Sequence, residues 1–212
     1  MKRRAFLGTA AGLALAGCLG SDDPDRDAHP AAQRLDGSPW FGAPPDETDR
    51  LIVAFEDPSC STCRRFHEST FRDLRVNLLE SGSAGFVYRP YPIVLAWGQP
   101  ASQAVIATAD RDPSAAWTLL DHYYAAQDVF NGVNVLGTTR DHLDAETDVD
   151  GTAVVEDVRA NAYDDGIGSA LADGDAAGAT TTPTFFLFRE ERFITKLTGV
   201  QDASVFASSL EV

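Results

Sequence analysis

The sequence predicts an α/β fold, a central mixed sheet flanked by helices. Three observations carry this. A strand–helix–strand unit occupies about 51–89, a helical block fills 100–178, and a hairpin with a closing helix runs from 184 to 210. The chain has 212 residues and is 44% hydrophobic, enough to pack one domain with an insertion.

The elements follow in order. Leu51-Ile52-Val53-Ala54-Phe55 is a nearly continuous apolar run, as a central strand buried on both faces requires. Pro58 and Ser59 end it. A helix is expected from about Ser61 to Glu80, with Phe71, Leu74 and Leu78 on one face. Gly85 to Arg89 reads as a second strand, parallel to the first across the helical crossover. Ala101, Ala104, Val105 and Ala109 suit one helix. Asp112-Pro113 is a cap followed by proline at the first helical position, and opens another with Trp117, Leu120 and Tyr124 inward. Shorter helices are expected over 139–147, 152–163 and 167–176. Thr184 to Phe188 and Phe193 to Leu197 then form an antiparallel hairpin around the polar Arg189-Glu190-Glu191-Arg192. Asp202 is placed to cap a final helix with Val205, Phe206 and Leu210 inward.

The charge is lopsided. There are 17 Lys+Arg against 32 Asp+Glu, a formal charge of −15, which excludes nucleic acid as an expected partner. Only Lys2 and Lys196 are lysines, and 23 of the acids are aspartates. This composition resembles that of extreme halophiles, where molar salt screens acidic repulsion.

Residues 1–17 have the layout of an export signal: Arg3-Arg4 with Phe6-Leu7, a short Ala/Leu/Gly run, then small residues. Arg3-Arg4 resembles a twin-arginine signal, and Leu15-Ala16-Gly17-Cys18 resembles a lipobox, with Cys18 as the lipid-bearing residue. No apolar run reaches the roughly 18–20 residues of a transmembrane helix. Residues 18–48, rich in Asp, Pro, Gly and Ala, read as a flexible tether, with Trp40-Phe41 as an apolar pair that docks on the domain edge.

The chemistry is expected at Cys60-Ser61-Thr62-Cys63, just after the first strand and at a helix start. Free N–H groups and the positive dipole end stabilise a thiolate there, and only the thiolate attacks a disulfide. Cys60 is the expected nucleophile and Cys63 the resolving thiol. A structural zinc site would need about four ligands, and the remaining candidates are Cys18 and four scattered histidines. A purely structural disulfide would close too short a loop to constrain the chain much. Two inert thiols suit an exported protein poorly.

Val53 to Cys63 is similar to the active-site segment of DsbA-like thiol–disulfide oxidoreductases. Thr181-Thr182-Pro183-Thr184-Phe185-Phe186 resembles the family's second signature, and Gly199 to Phe206 its ending. The resemblance covers about 36–210. It implies a thioredoxin-like fold in two parts, 49–92 and 179–212, around a helical insertion domain at 93–178. It implies a cis proline at Pro183, with the backbone of Thr182 exposed to pair with an extended substrate. From the residues alone Pro183 reads equally as an ordinary proline at a strand start. No organic cofactor or metal is implied. The implied partners are thiols and disulfides of exported proteins and a membrane redox partner that recycles the dithiol.

The sequence departs from the family at two places. Ser61 and Thr62 stand where proteobacterial members of the family have Pro-His, so that cationic aid to the thiolate is missing. The family often carries a buried acid six residues before the first cysteine, where this chain has Ala54. Glu56 and Asp57 either substitute for it or are solvated; their charge raises the Cys60 pKa, while Arg64 and Arg65 lower it. His67 reads as an exposed polar residue and Tyr123-Tyr124 as core. The direction of electron flow stays open, with export favouring the oxidase. Two rivals remain: a surface binding lipoprotein with a structural disulfide, and a dedicated reductase for haem-protein maturation.

Overall fold

A computed structural model describes residues 25–212. Five strands form one mixed sheet: β1 (Trp40–Gly42), β2 (Arg50–Glu56), β3 (Gly85–Pro90), β4 (Thr184–Arg189) and β5 (Arg192–Thr198), in the order β1-β3-β2-β4-β5. β2 is parallel to β3 and antiparallel to β4; Ala54 lies opposite both Tyr88 and Phe185. Its unbroken apolar run follows from this central position, because both faces are covered.

Alternation along β2 divides the core. Ile52 and Ala54 face the helices with Phe86, Tyr88, Phe185 and Leu187. Leu51, Val53 and Phe55 face the other side with Val87, Phe186 and Phe188. The crossover from β2 to β3 is helical from Ser61 to Leu79. It begins as α1 (Ser61–Phe66), passes through a π-helical stretch to α2 (Arg72–Leu74), and ends in a second π-helical stretch. The sequence reading, a plain helix to Glu80, missed these wider turns.

The block between β3 and β4 holds α3 (Gly98–Ala109), α4 (Pro113–Ala125), α5 (Val135–Glu146), α6 (Gly151–Arg159) and α7 (Asp164–Ala177), and α8 (Ala203–Leu210) closes the chain. Asp112 caps α4 through its carboxylate, as its sequence context predicts. Asp202 stands at the start of α8, but its side chain makes no capping bond. Trp117, Tyr123 and Tyr124 are core.

The tether expected over 18–48 is corrected within its described part. Residues 25–48 pack on the domain, because the second sheet face needs a cover. Ala31 is buried among Leu51, Val53 and Phe186, and the His29 ring stacks on Phe193 at 4.6 Å. Arg89, buried in β3, holds this segment: it donates to the carbonyls of Gln33 (2.6 Å) and Arg34 (2.7 Å) and to Asp173 Oδ2 (2.7 Å). Arg34 pairs with the other oxygen of Asp173. Trp40-Phe41 dock at the sheet edge as β1, antiparallel to β3. Arg3, Arg4 and Cys18 lie outside the described residues. No helix among the described residues is long and apolar enough to cross a membrane.

Candidate active site

The site is built at the carboxyl end of β2, where the chain leaves the sheet. Asp57 shapes the turn. Its Oδ1 accepts from the Ser59 N–H (2.7 Å) and hydroxyl (2.6 Å), and its Oδ2 accepts from Val94 N–H at 2.8 Å. Leu95 N–H donates to Ser59 Oγ at 3.0 Å. Only glycine fits at position 98: a Cβ there would lie 2.4 Å from Asp57 Oδ1. Burial pushes the Asp57 carboxyl up, and these bonds oppose the shift.

Cys60 is the N-cap of α1. Its sulfur accepts from Cys63 N–H at 3.5 Å, and its thiol donates to the Thr182 carbonyl at 3.3 Å. Both cysteines are free thiols, Cys60 6% exposed and Cys63 fully buried. Ser61 is exposed and Thr62 half-buried at the mouth. The Thr182–Pro183 bond is cis, both residues are buried, and the Thr182 carbonyl meets Cys60. Six residues singled out from the sequence, Cys60, Ser61, Thr62, Cys63, Thr182 and Pro183, thus meet in one place.

The two thiols are driven apart. Cys60 is lowered from 9.0 to about 6, first by its hydrogen bond with the Cys63 side chain. Burial opposes this. Thr182 and the N–H groups of Cys63 and Thr62 reinforce it. Among the described residues the buried Thr182 hydroxyl has no hydrogen-bond partner in the dithiol. Cys63 is pushed well above 9.0, chiefly by burial, then by its bond to Cys60 and the charge of Glu56. The arginine contribution expected from sequence is not among the leading causes at Cys60, and Arg64 is engaged by Glu68 (2.9 Å) and Asp128 (2.8 Å).

Beneath Cys63 one sequence expectation is corrected, that of an exposed His67, and one open alternative is decided, since Glu56 and Asp57 are not solvated. Glu56 and Asp57 are fully buried, and so is nearly all of His67, which was expected to be exposed. His67 Nε2 lies 2.9 Å from Glu56 Oε2, and Tyr124 donates to the same oxygen at 3.1 Å. His67 also stacks on Tyr124 at 4.2 Å. The available signal was spacing: His67 follows the inward-facing Cys63 by four residues, one helical turn. Gln127 was missed altogether. It donates to the carbonyls of Pro58 (2.8 Å) and Cys60 (3.1 Å).

The mouth has an apolar rim. Ile93, Val94 and Leu95 are about half exposed, on the loop tied to Asp57 and Ser59. Val129 and Val200 are also exposed; Val200 follows Gly199, whose N–H donates to the Pro183 carbonyl at 2.9 Å. Among the described residues, no group of three or more His, Cys, Asp or Glu side chains is arranged to hold a metal ion.

The thioredoxin family profile matches residues 35–200. Solved structures with the same fold include oxidised BdbD from Bacillus subtilis, with TM-score 0.70 and 16% identity over 84% of this chain and 95% of that one. The thiol-disulfide exchange protein α-DsbA2 from Wolbachia pipientis has TM-score 0.66 and 16% identity, covering 82% of this chain and 86% of its own. The catalytic domain of Proteus mirabilis ScsC has TM-score 0.66 and 18% identity, covering 85% and 91%. A search of curated proteins found no match. The sheet, the inserted helices and these likenesses agree with the fold that the DsbA-like resemblance implies.

Proposed function

The chain belongs to the thioredoxin family, and from that premise we propose that it is an extracytoplasmic thiol–disulfide oxidoreductase acting on exported proteins. One observation carries the reading: Cys60 is the N-cap of α1, against the Thr182 carbonyl at 3.3 Å, with Cys63 buried behind it and its N–H on the Cys60 sulfur at 3.5 Å. This placement lowers Cys60 and raises Cys63. A nucleophile with a displaced pKa beside a buried resolving thiol is what disulfide exchange needs.

The steps follow from the geometry. In reduction, the Cys60 thiolate attacks a substrate disulfide, forming a Cys60–substrate bond and releasing one substrate thiolate. Cys63 then attacks Cys60, closes the internal disulfide and releases the second. In oxidation the same bonds form and break in reverse. The exposed side chains of Ile93, Val94, Leu95, Val129 and Val200 offer apolar contact to an extended substrate, and the Thr182 backbone offers strand-like pairing. Export through the segment 1–17, anchoring through lipid on Cys18 and a halophilic setting are parts of the same proposal. So is recycling by a membrane redox partner, a quinone-linked oxidase or a thiol-reducing transporter.

The test is Cys60→Ser, which should abolish oxidation of a reduced peptide; unimpaired oxidation would sink the mechanism. The reduction potential gives the direction. A value near about −120 mV marks a disulfide donor, and one near about −270 mV a reductase.

A further inference from the structure

Buried under Cys63 is a cluster of ionisable groups that the exchange steps above leave unused. Glu56 reaches it from the end of β2, Asp57 from the turn that follows, Tyr88 from β3, Tyr124 from α4, and His67 from the helical crossover that carries Cys63. The two carboxylates are treated differently. Asp57 has both oxygens engaged by Ser59 and Val94. Glu56 has Oε2 held by His67 and Tyr124, while its buried Oε1 has no hydrogen-bond partner among the described residues. His67 Nδ1 is likewise buried and unpartnered. A purely structural carboxylate gains nothing from this, since an unsatisfied buried acceptor costs about 1–3 kcal/mol.

We propose that Glu56 accepts the proton that Cys63 must lose to attack Cys60, with His67 as the positioning residue that holds the carboxylate for this role. The inference rests on the exchange reading above. The proton has few other routes: Cys63 is fully buried and Cys60, in the mixed disulfide, is no longer a base. The charge of Glu56 already acts on the Cys63 thiol.

The step balances. The Cys63 thiol gives its proton to the Glu56 carboxylate. The resulting thiolate attacks Cys60 Sγ, the Cys60–Cys63 bond forms, and the Cys60–substrate bond breaks with the electron pair leaving on the substrate sulfur. Across both steps two electrons pass from the dithiol to the substrate disulfide. In the oxidase direction, protonated Glu56 returns the proton to Cys63 as its sulfur leaves. The arrangement differs from an acid six residues before the nucleophile. Glu56 is four residues before Cys60, and it has a histidine partner.

The experiment mixes the reduced protein with a peptide disulfide and follows two phases by rapid quench, mixed-disulfide formation and then peptide release. In the wild type, release should be nearly flat with pH. In Glu56→Gln the first phase should persist while release slows by about 10²-fold near neutrality and rises about tenfold per pH unit. His67→Gln, which keeps a donor, should stay close to wild type, whereas His67→Leu should slow and steepen release. A wild-type release profile in folded E56Q overturns the proposal. Should E56Q not fold, a wild-type release profile in H67L overturns it. Absence of the first phase in the wild type would instead count against the exchange reading itself.

Discussion

Gln127 donates to the Cys60 carbonyl at 3.1 Å and to the Pro58 carbonyl at 2.8 Å, tying the helical insertion to the turn that carries Cys60. The amide sits just after α4, the helix that also supplies Tyr124 to Glu56. Gln127→Leu removes both donations and leaves the Pro58 carbonyl without this donor. The expected loss is about 1–3 kcal/mol of stability. The looser turn should also weaken the N–H contacts to the Cys60 sulfur, moving its alkylation midpoint upward. Urea unfolding and a pH series of alkylation rates read the two effects.

Alkylation of wild-type Cys60 should reach half its limiting rate near about 6, against about 8.5 for an ordinary thiol. The same shift links to stability. A depressed pKa in the folded state makes ionisation favour folding, so the contribution is fully present above the unfolded value. It is lost as pH falls through about 6. The reduced protein should therefore gain stability relative to the oxidised one between about pH 6 and 8, at up to about 1.4 kcal/mol per pH unit. The oxidised form carries no titrating thiol and serves as the control. A flat difference between the two forms would show that Cys60 is an ordinary thiol.

Much of this was legible in sequence because periodicity reports burial. The apolar run 51–55 marked a strand covered on both faces, and Cys60 to Cys63 stood at a strand-to-helix junction. What composition hid was polar burial. Arg89 reads as the polar end of a strand, yet its guanidinium lies in the core because Asp173, eighty-four positions on, arrives from α7 to pair with it. His67 was judged by its type and not by its place one turn after Cys63. Residues 25–48 look like a linker because the sheet face they cover is formed by strands far away in the chain.

Asp173 offers a direct probe of that covering segment. It bonds Arg89 and pairs with Arg34, while Arg89 holds the carbonyls of residues 33 and 34. Asp173→Ala leaves Arg89 buried and unpaired. Breaking one partner of a buried pair costs about 3–5 kcal/mol, more than an exposed ion pair contributes. Limited proteolysis should then cut within 25–40 before the rest of the domain, and the melting temperature should fall. If the mutant melts like the wild type, the clamp does not hold the segment.

Salt should act on stability through two opposed effects, and their sizes decide the outcome. Lowering salt strengthens surface pairs such as Arg111–Asp157 (2.6 Å) and Arg75–Glu80 (3.2 Å), but exposed pairs contribute about 0–1 kcal/mol each. It also unscreens the repulsion of a chain with formal charge −15 and only two lysines. The Debye length grows from about 3 Å at 1 M to about 10 Å at 0.1 M, so repulsion comes to span neighbouring acids such as Asp141, Asp144 and Asp148. Repulsion should win, and the melting temperature of the domain should fall as salt is reduced over that range. Replacing exposed Asp141 and Asp148 by Asn should flatten the dependence. An unchanged melting temperature in the wild type would remove the halophilic element from the proposed function and leave the exchange chemistry untouched.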